Sequence, residues 1–322
     1  MYTSKRKLPD IICIGPTCSG TTAIFTYFIK YATNLNHPYE CKEPNYLWLR
    51  KYPEFINKLK NHSSIISLDK YSFNSTQNNL TIDFSPNYFY FADDVIDSIK
   101  ELYVDQPLPK LFTILRDPLN RAKSQYRSTR FDICSEELNF KSALSFDSKF
   151  NFTSNPLREL KNNKGLEYEL DYLRYSNYIS VIDKFKDAFE DNFKIFIFEE
   201  LFSDIERGLY DLANFSELKI TLPSKFNSNP IGVKGAPRSK FLQKILVSKD
   251  NSFKRFLRKT LVGDFLKFVK DYILYNKFFI KKSSFDSSIE ERTEVFFKDI
   301  KNGVEIRLGK KLDSWCVFSP HS

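Results

Sequence analysis

Residues 11–22 read Ile11-Ile12-Cys13-Ile14-Gly15-Pro16-Thr17-Cys18-Ser19-Gly20-Thr21-Thr22, and their order decides the fold. Ile11 to Gly15 is a short, continuous apolar run, the pattern of a strand buried on both faces of a parallel sheet. From Thr21 to about Tyr31 the apolar residues Ile24, Phe25, Phe28 and Ile29 fall at helical spacing. A strand, a polar loop bounded by glycines and then a helix is an arrangement suited to holding phosphate. The spacing Gly15-x4-Gly20 is that of a P-loop, but Thr21 stands where nucleotide triphosphatases place a lysine against the β- and γ-phosphates. That absence disfavours a kinase or ATPase. What remains is a cradle of backbone N–H groups at a helix N-terminus, with added hydroxyls. The plain alternative is a tight strand-to-helix turn with an N-cap.

Working outward, Thr81 to Pro86 reads as a short strand stopped by its proline, and Tyr88 to Tyr103 as a helix. Lys110-Leu-Phe-Thr-Ile-Leu-Arg116 is the clearest strand, and Pro118 sits where it can begin a helix. Residues 62–80 are Ser/Asn-rich and read as an exposed loop; 142–166 reads as irregular, and 170–191 as helical. Phe193 to Phe198 is another buried strand, and the chain beyond it is mainly helical, with a last helix at about 289–308. Strands alternating with helices imply an α/β fold, a P-loop-like three-layer structure with a central parallel sheet and a helical C-terminal third. No repeat or linker divides residues 1–322, so a single domain is expected.

The chain has 322 residues, 42% of them hydrophobic and 28% charged, an ordinary globular balance. Five cysteines (Cys13, Cys18, Cys41, Cys134, Cys316) form no Cys-x-x-Cys pair, and three histidines complete no metal-ligand cluster, so no metal is expected. The net charge of +9 is uneven: Lys234 to Lys282 holds 14 Lys/Arg against 3 Asp/Glu. Amphipathic helices with solvated cations explain that excess most simply. An anionic-glycan or membrane-surface contact is the functional reading, and nucleic acid is disfavoured because no nucleic-acid motif accompanies the charge. There is no signal-peptide core and no run of roughly 18 apolar residues. The expectation is a cytoplasmic chain, with membrane association through 234–282. A Golgi lumen location is the alternative if an N-terminal anchor is missing from this chain.

The motifs, taken in order, resemble those of the 3′-phosphoadenosine 5′-phosphosulfate (PAPS)-dependent sulfotransferases, in the branch containing the heparan sulfate enzymes and bacterial carbohydrate sulfotransferases. Residues 15–22 resemble that family's phosphosulfate loop, Gly-x-x-Lys-x-Gly-Thr-Thr. Leu111 to Tyr126 resembles its 3′-phosphate element, a strand ending in Arg-(Asn/Asp)-Pro followed by Arg-Ala-x-Ser. His37-Pro38 with Lys42-Glu43-Pro44, Asp83-Phe-Ser85-Pro86-Asn-Tyr88, Phe193 to Leu201, Pro237-Arg238-Ser239 and Leu308 to Trp315 match further segments in the family's order, so the resemblance spans roughly residues 10–318.

The resemblance implies transfer of a sulfuryl group from PAPS to a hydroxyl or amine of a carbohydrate or glycolipid acceptor, with PAP as product. It implies donor contacts at Thr17, Cys18, Ser19, Gly20, Thr21 and Thr22, at Arg116 and Ser124 for the 3′-phosphate, and at Arg238. The acceptor needs a base, which in the heparan-type enzymes is the glutamate matched by Glu43. Lys42 and Asp83 are candidates for substrate contact or charge support. The main departure is Cys18, which stands where the family has a lysine that supports the departing phosphate. Either another cation substitutes, with Lys123 and residues 234–238 as candidates, or the chain is a catalytically impaired binder of nucleotide or glycan. A Cys18 nucleophile is disfavoured, since Cys-x5-Arg phosphatases need an arginine six residues on and residue 24 is Ile24.

Overall fold

The computed structural model describes residues 6–36, 42–53, 67–71, 73–74, 79–133, 136, 138–147, 170–224, 226, 236–237, 280–281 and 288–315. They fall into two compact units. One comprises Met1–Arg121, Arg174–Ile231 and Val295–Ser322; the other comprises Ala122–Leu173 and Gly232–Glu294. The first unit contains a five-stranded sheet: β1 (Ile11–Gly15), β2 (Leu35–Asn36), β3 (Leu80–Phe84), β4 (Lys110–Leu115) and β5 (Phe193–Ile197). The order is β2-β3-β1-β4-β5 and each pairing is parallel. Both faces of β1 are buried, as its unbroken apolar run predicts.

Helix α1 (Thr21–Tyr31) leaves β1 through the glycine-bounded loop. Its Ala23, Ile24, Tyr27 and Phe28 pack into one core with Ile11 and Cys13 of β1, Ile82 and Phe84 of β3, and Phe112 and Ile114 of β4. A short turn, α2 (Tyr46–Leu49), precedes α3 (Ala92–Leu102), whose acids Asp93 and Asp94 lie in the first turn and Lys100 in the last, as the helix dipole favours. Helix α4 (Pro118–Arg127) begins on its proline, and Asp117 caps it by accepting the Asn120 N–H at 2.8 Å. Helix α5 (Tyr178–Phe189) packs on α3. After β5 come α6 (Phe198–Ser203) and α7 (Ile205–Phe215), whose Leu209, Leu212 and Ala213 join the α1 core. The last helix is α8 (Glu291–Leu308).

The four main strands stand where the sequence pattern put them. Four details differ. Of 170–191, read as helical, only Tyr178–Phe189 is α-helix, preceded by a 3₁₀ turn at Arg174–Ser176. Leu35–Asn36 forms an edge strand, too short for a periodic signal to register. Residues 140–147 form a helix inside a stretch read as irregular from residue 142. In the stretch read as exposed loop, Leu68–Tyr71 makes one helical turn and Tyr71 is fully buried. Of the stretch 238–282 read as helical and as a binding segment, residues 238–279 and 282 lie outside the described residues; Ile280–Lys281 is a short strand, not helix, paired antiparallel with Ala236–Pro237. No helix among the described residues is long and apolar enough to cross a membrane.

Sheet topology fixes where a site belongs. From β1 the chain runs to β2 and back to β3 on one side, then crosses to β4 and β5 on the other. The order therefore reverses at β1, and in open parallel sheets ligands bind beyond the carboxyl ends of the strands at such a switch point. The loop after Gly15 lies at that end.

Candidate active site

Backbone geometry shapes the loop. The β1–β4 register shifts between Cys13 and Gly15, and Thr113 Oγ1 donates to the Gly15 carbonyl at 2.7 Å. Gly15 has φ 105°, and a Cβ there would lie 2.3 Å from the Pro86 carbonyl oxygen, so only glycine fits against the chain leaving β3. Cys18 (φ 65°) and Gly20 (φ 79°) are both left-handed. Such turns curl successive N–H groups inward and make an anion-binding concavity. Helix α1 carries no acidic residue in its first turn, which leaves its positive end open to an anion. Within the loop, Thr17 Oγ1 and Ser19 Oγ are buried, and among the described residues neither has a hydrogen-bond partner. Buried hydroxyls are normally paired, and an anion oxygen in the loop is a partner of the right chemistry. A phosphosulfate group would fit this loop on that count.

Arg116 reaches the loop from the end of β4. Its Nη1 donates to the Cys18 carbonyl at 3.1 Å, and its guanidinium carbon stands 4.6 Å from the centroid of the Phe198 ring. The Arg116 carbonyl accepts the Tyr178 hydroxyl at 2.8 Å. Next to it, the Asp117 N–H donates to Glu199 Oε1 at 3.0 Å, and Glu199 Oε2 accepts Trp315 Nε1 at 2.8 Å. Burial pushes the Glu199 carboxyl above its ordinary value, against the lowering effect of these donors. One carboxylate thus joins the Arg-Asp-Pro turn, the start of α6 and the C-terminal Trp315. Ser124 is half-buried on α4; it and Lys123 belong to the second unit, Arg116 to the first.

Lys42 and Glu43 stand beside the start of α1. Lys42 Nζ lies 2.9 Å from Thr22 Oγ1 and 2.8 Å from Glu43 Oε1. Glu43 is 39% exposed and Lys42 18%, so the acid is open to solvent while its partner is largely covered. Asn45, left-handed at φ 55°, turns the chain just after Glu43. Its N–H donates to Ser85 Oγ at 2.9 Å, and its side-chain amide donates to the Glu43 carbonyl at 3.2 Å. Ser85 donates in turn to Asp83 Oδ1 at 2.6 Å, while Tyr88 and Tyr71 donate to Asp83 Oδ2 at 2.6 and 2.8 Å. Asp83 is fully buried. Burial pushes its pKa up to about 6, against the lowering by its three hydroxyl donors.

The structure therefore brings together the loop residues Thr17 to Thr22 and Arg116, and it links Lys42 and Glu43 to the same loop through Thr22. Asp83 is joined to the Glu43 backbone through Ser85 and Asn45. Arg238, like His37 and Pro38, lies outside the described residues. The two cysteines among the described residues are free thiols, and burial pushes Cys13 up to about 12, which leaves it un-ionised. Among the described residues, no group of His, Cys, Asp and Glu could hold a metal ion. A cleft of about 570 Å³ along β5, lined by Lys194, Glu200, Arg207 and Lys310 among others, contains none of these residues. Sequence reasoning gave no role to Ser85, Tyr71, Tyr88 or Asn45. The Ser-Pro-x-Tyr spacing after Asp83 was the available signal for two of them.

No protein-family model matches the chain. Over 129 residues it is 32% identical to the mouse bifunctional heparan sulfate N-deacetylase/N-sulfotransferase 3, a match covering 38% of this chain and 13% of that protein. The chain thus spans a small part of that relative's length. Its fold matches the crystal structure of a sulfotransferase from Alicyclobacillus acidocaldarius with a TM-score of 0.59, at 16% identity, covering 96% of this chain and 99% of that one. The architecture is that of a sulfotransferase. The resemblance to the sulfotransferase family is borne out, its heparan sulfate branch by the mouse match and its fold by the solved structure.

Proposed function

We propose that this chain moves a sulfuryl group from PAPS to a hydroxyl or amine of a carbohydrate-type acceptor, releasing PAP. One observation carries the reading. An anion-cradling loop at the switch point of the sheet holds two buried hydroxyls, unpartnered among the described residues, and is tied to the forked cation Arg116. Residues Thr17 to Thr22 take the phosphosulfate, and Arg116 with Ser124 takes the 3′-phosphate. Glu43 accepts the acceptor's proton while the acceptor oxygen or nitrogen bonds to sulfur. The bond from sulfur to the phosphate oxygen breaks, and its electron pair leaves on the PAP phosphate. Catalysis of this kind is mostly positioning and charge stabilisation, and the reaction as written needs no metal.

Heparan sulfate in the mouse relative's name favours a carbohydrate acceptor; a glycolipid at a membrane surface is the variant that the basic segment suggests. The cytoplasm is the proposed location, with the Golgi lumen as its alternative. Cys18 supports a second reading, a family member that binds nucleotide or glycan and transfers nothing, because its thiol cannot neutralise a departing phosphate.

Measuring PAP affinity by calorimetry and transfer of labelled sulfuryl from PAPS to a panel of polysaccharides and glycolipids separates the two. We expect both binding and transfer, with Glu43→Gln keeping PAP affinity and losing most turnover. PAP binding with no transfer to any acceptor supports the binding-only reading. Binding of ATP that PAPS does not compete away overturns both.

A further inference from the structure

We propose that Lys42 replaces the cation that the loop lacks at Cys18, and that it acts as the charge partner of the transferring group. The inference rests on the sulfuryl-transfer reading above. Its basis is position: Lys42 comes from a different segment, yet its ammonium lies 2.9 Å from the hydroxyl of Thr22, in the first turn of α1. The same ammonium bonds Glu43 Oε1 at 2.8 Å. An ammonium has three donors, and these two contacts use two, so one remains for an oxygen held in the loop. Lys42 is only 18% exposed, so water screens its charge less than that of a surface lysine.

Among the described residues, a second cation bonded to the loop, Arg116, is otherwise engaged. Arg116 is bonded to the Cys18 carbonyl and stacked on Phe198, and it is the residue matched to the 3′-phosphate. Lys42 therefore supplies what Cys18 cannot, from its place beside Thr22. It also links loop hydroxyl, ammonium and base carboxylate in one chain, Thr22–Lys42–Glu43. When sulfuryl leaves, negative charge grows on the 5′-phosphate oxygen. A preplaced cation there lowers the barrier more than it strengthens ground-state binding.

The test compares wild type, Lys42→Met, Lys42→Arg and the double variant Cys18→Lys/Lys42→Met, reading PAP affinity, PAPS affinity without acceptor, and transfer. We expect Lys42→Met to lower kcat on the order of 10²–10³-fold, the range for losing one preorganised charge-stabilising donor. PAP affinity should stay within about threefold, the PAPS-to-PAP affinity ratio should fall, and Lys42→Arg should keep part of the turnover. Returning a lysine to the loop in the double variant should recover at least about tenfold of the lost kcat. Unchanged turnover in Lys42→Met overturns the proposal and leaves the function intact, pointing to Lys123 or residues 234–238 as the cation. Loss of PAP binding in Lys42→Met, or no recovery in the double variant, also overturns it, because Lys42 would then act by holding the fold or Glu43. A wild type that binds PAP and transfers nothing defeats the sulfuryl-transfer reading itself, and this inference with it.

Discussion

Ser85 Oγ accepts the backbone N–H of Asn45 at 2.9 Å, and this bond anchors the Glu43 segment to the end of β3. The partners are 40 residues apart in sequence, and both are buried. Replacing Ser85 by alanine strands a buried N–H, at a cost of about 1–3 kcal/mol. It also frees the turn that sets the direction of Glu43. Ser85→Ala should therefore lower transfer roughly tenfold, as expected when a catalytic group loses its positioning, while PAP affinity holds. Calorimetry beside a transfer assay checks this; equal losses in both would mean that the bond serves the fold alone.

Asp83 makes the same support sensitive to pH. Burial raises its folded pKa to about 6 from 3.8, so between those values the folded state holds a proton that the unfolded state has released. The stability this contributes is fully present below 3.8 and is lost as pH rises through 6. The whole change amounts to roughly 3 kcal/mol. Asp83→Asn keeps an oxygen for the Tyr71 and Tyr88 hydroxyls and cannot ionise. Urea midpoints from pH 4 to 7 should fall more steeply for wild type than for this variant, and parallel curves would refute the assignment. Asp83→Ala, which leaves two buried tyrosine hydroxyls without their acceptor, should be the less stable of the two variants at every pH.

Close approach separates the two loop glycines. A Cβ on Gly15 would meet backbone, the Pro86 carbonyl at 2.3 Å, whereas one on Gly20 would meet the Phe202 ring edge at 2.6 Å. Backbone cannot yield as a side chain does, so Gly15→Ala should cost more than Gly20→Ala, by about 1–3 kcal/mol. Thermal melts rank them. Gly20→Ala should keep the fold and weaken PAP binding, since Gly20 shapes the cradle.

The strands and the loop were legible in the sequence because their signals are local: a five-residue apolar run at Ile11–Gly15, glycine spacing, and an arginine ending β4. The contacts that organise the site are not local. Lys42 meets Thr22 across 20 residues and Trp315 meets Glu199 across 116, and no periodicity encodes either pairing. Tyr71 was concealed for a different reason. Its neighbours are polar and suggest a loop, whereas its ring stacks on Tyr46 and its hydroxyl bonds the Asp83 carboxylate, contacts that no composition average registers. Asp83 itself was singled out as a candidate for substrate contact or charge support. Its full burial makes it a support for Ser85, visible only once the β3 register turns it away from the α1 core.

Arg116 gives the sharpest test of donor recognition. Its guanidinium does two things at once, donating to the Cys18 carbonyl and lying over the Phe198 ring, and it has further N–H groups for a phosphate. A lysine keeps the charge but has neither the planar fork nor the stacking face. Arg116→Lys should therefore weaken PAP binding by about 10–100-fold, near 1.4–2.7 kcal/mol. Affinity for adenosine 5′-phosphate, which has no 3′-phosphate, should change far less. The ratio of the two affinities is the deciding measurement, because a merely loosened loop would weaken both nucleotides alike. A ratio equal to that of wild type would move the 3′-phosphate away from Arg116.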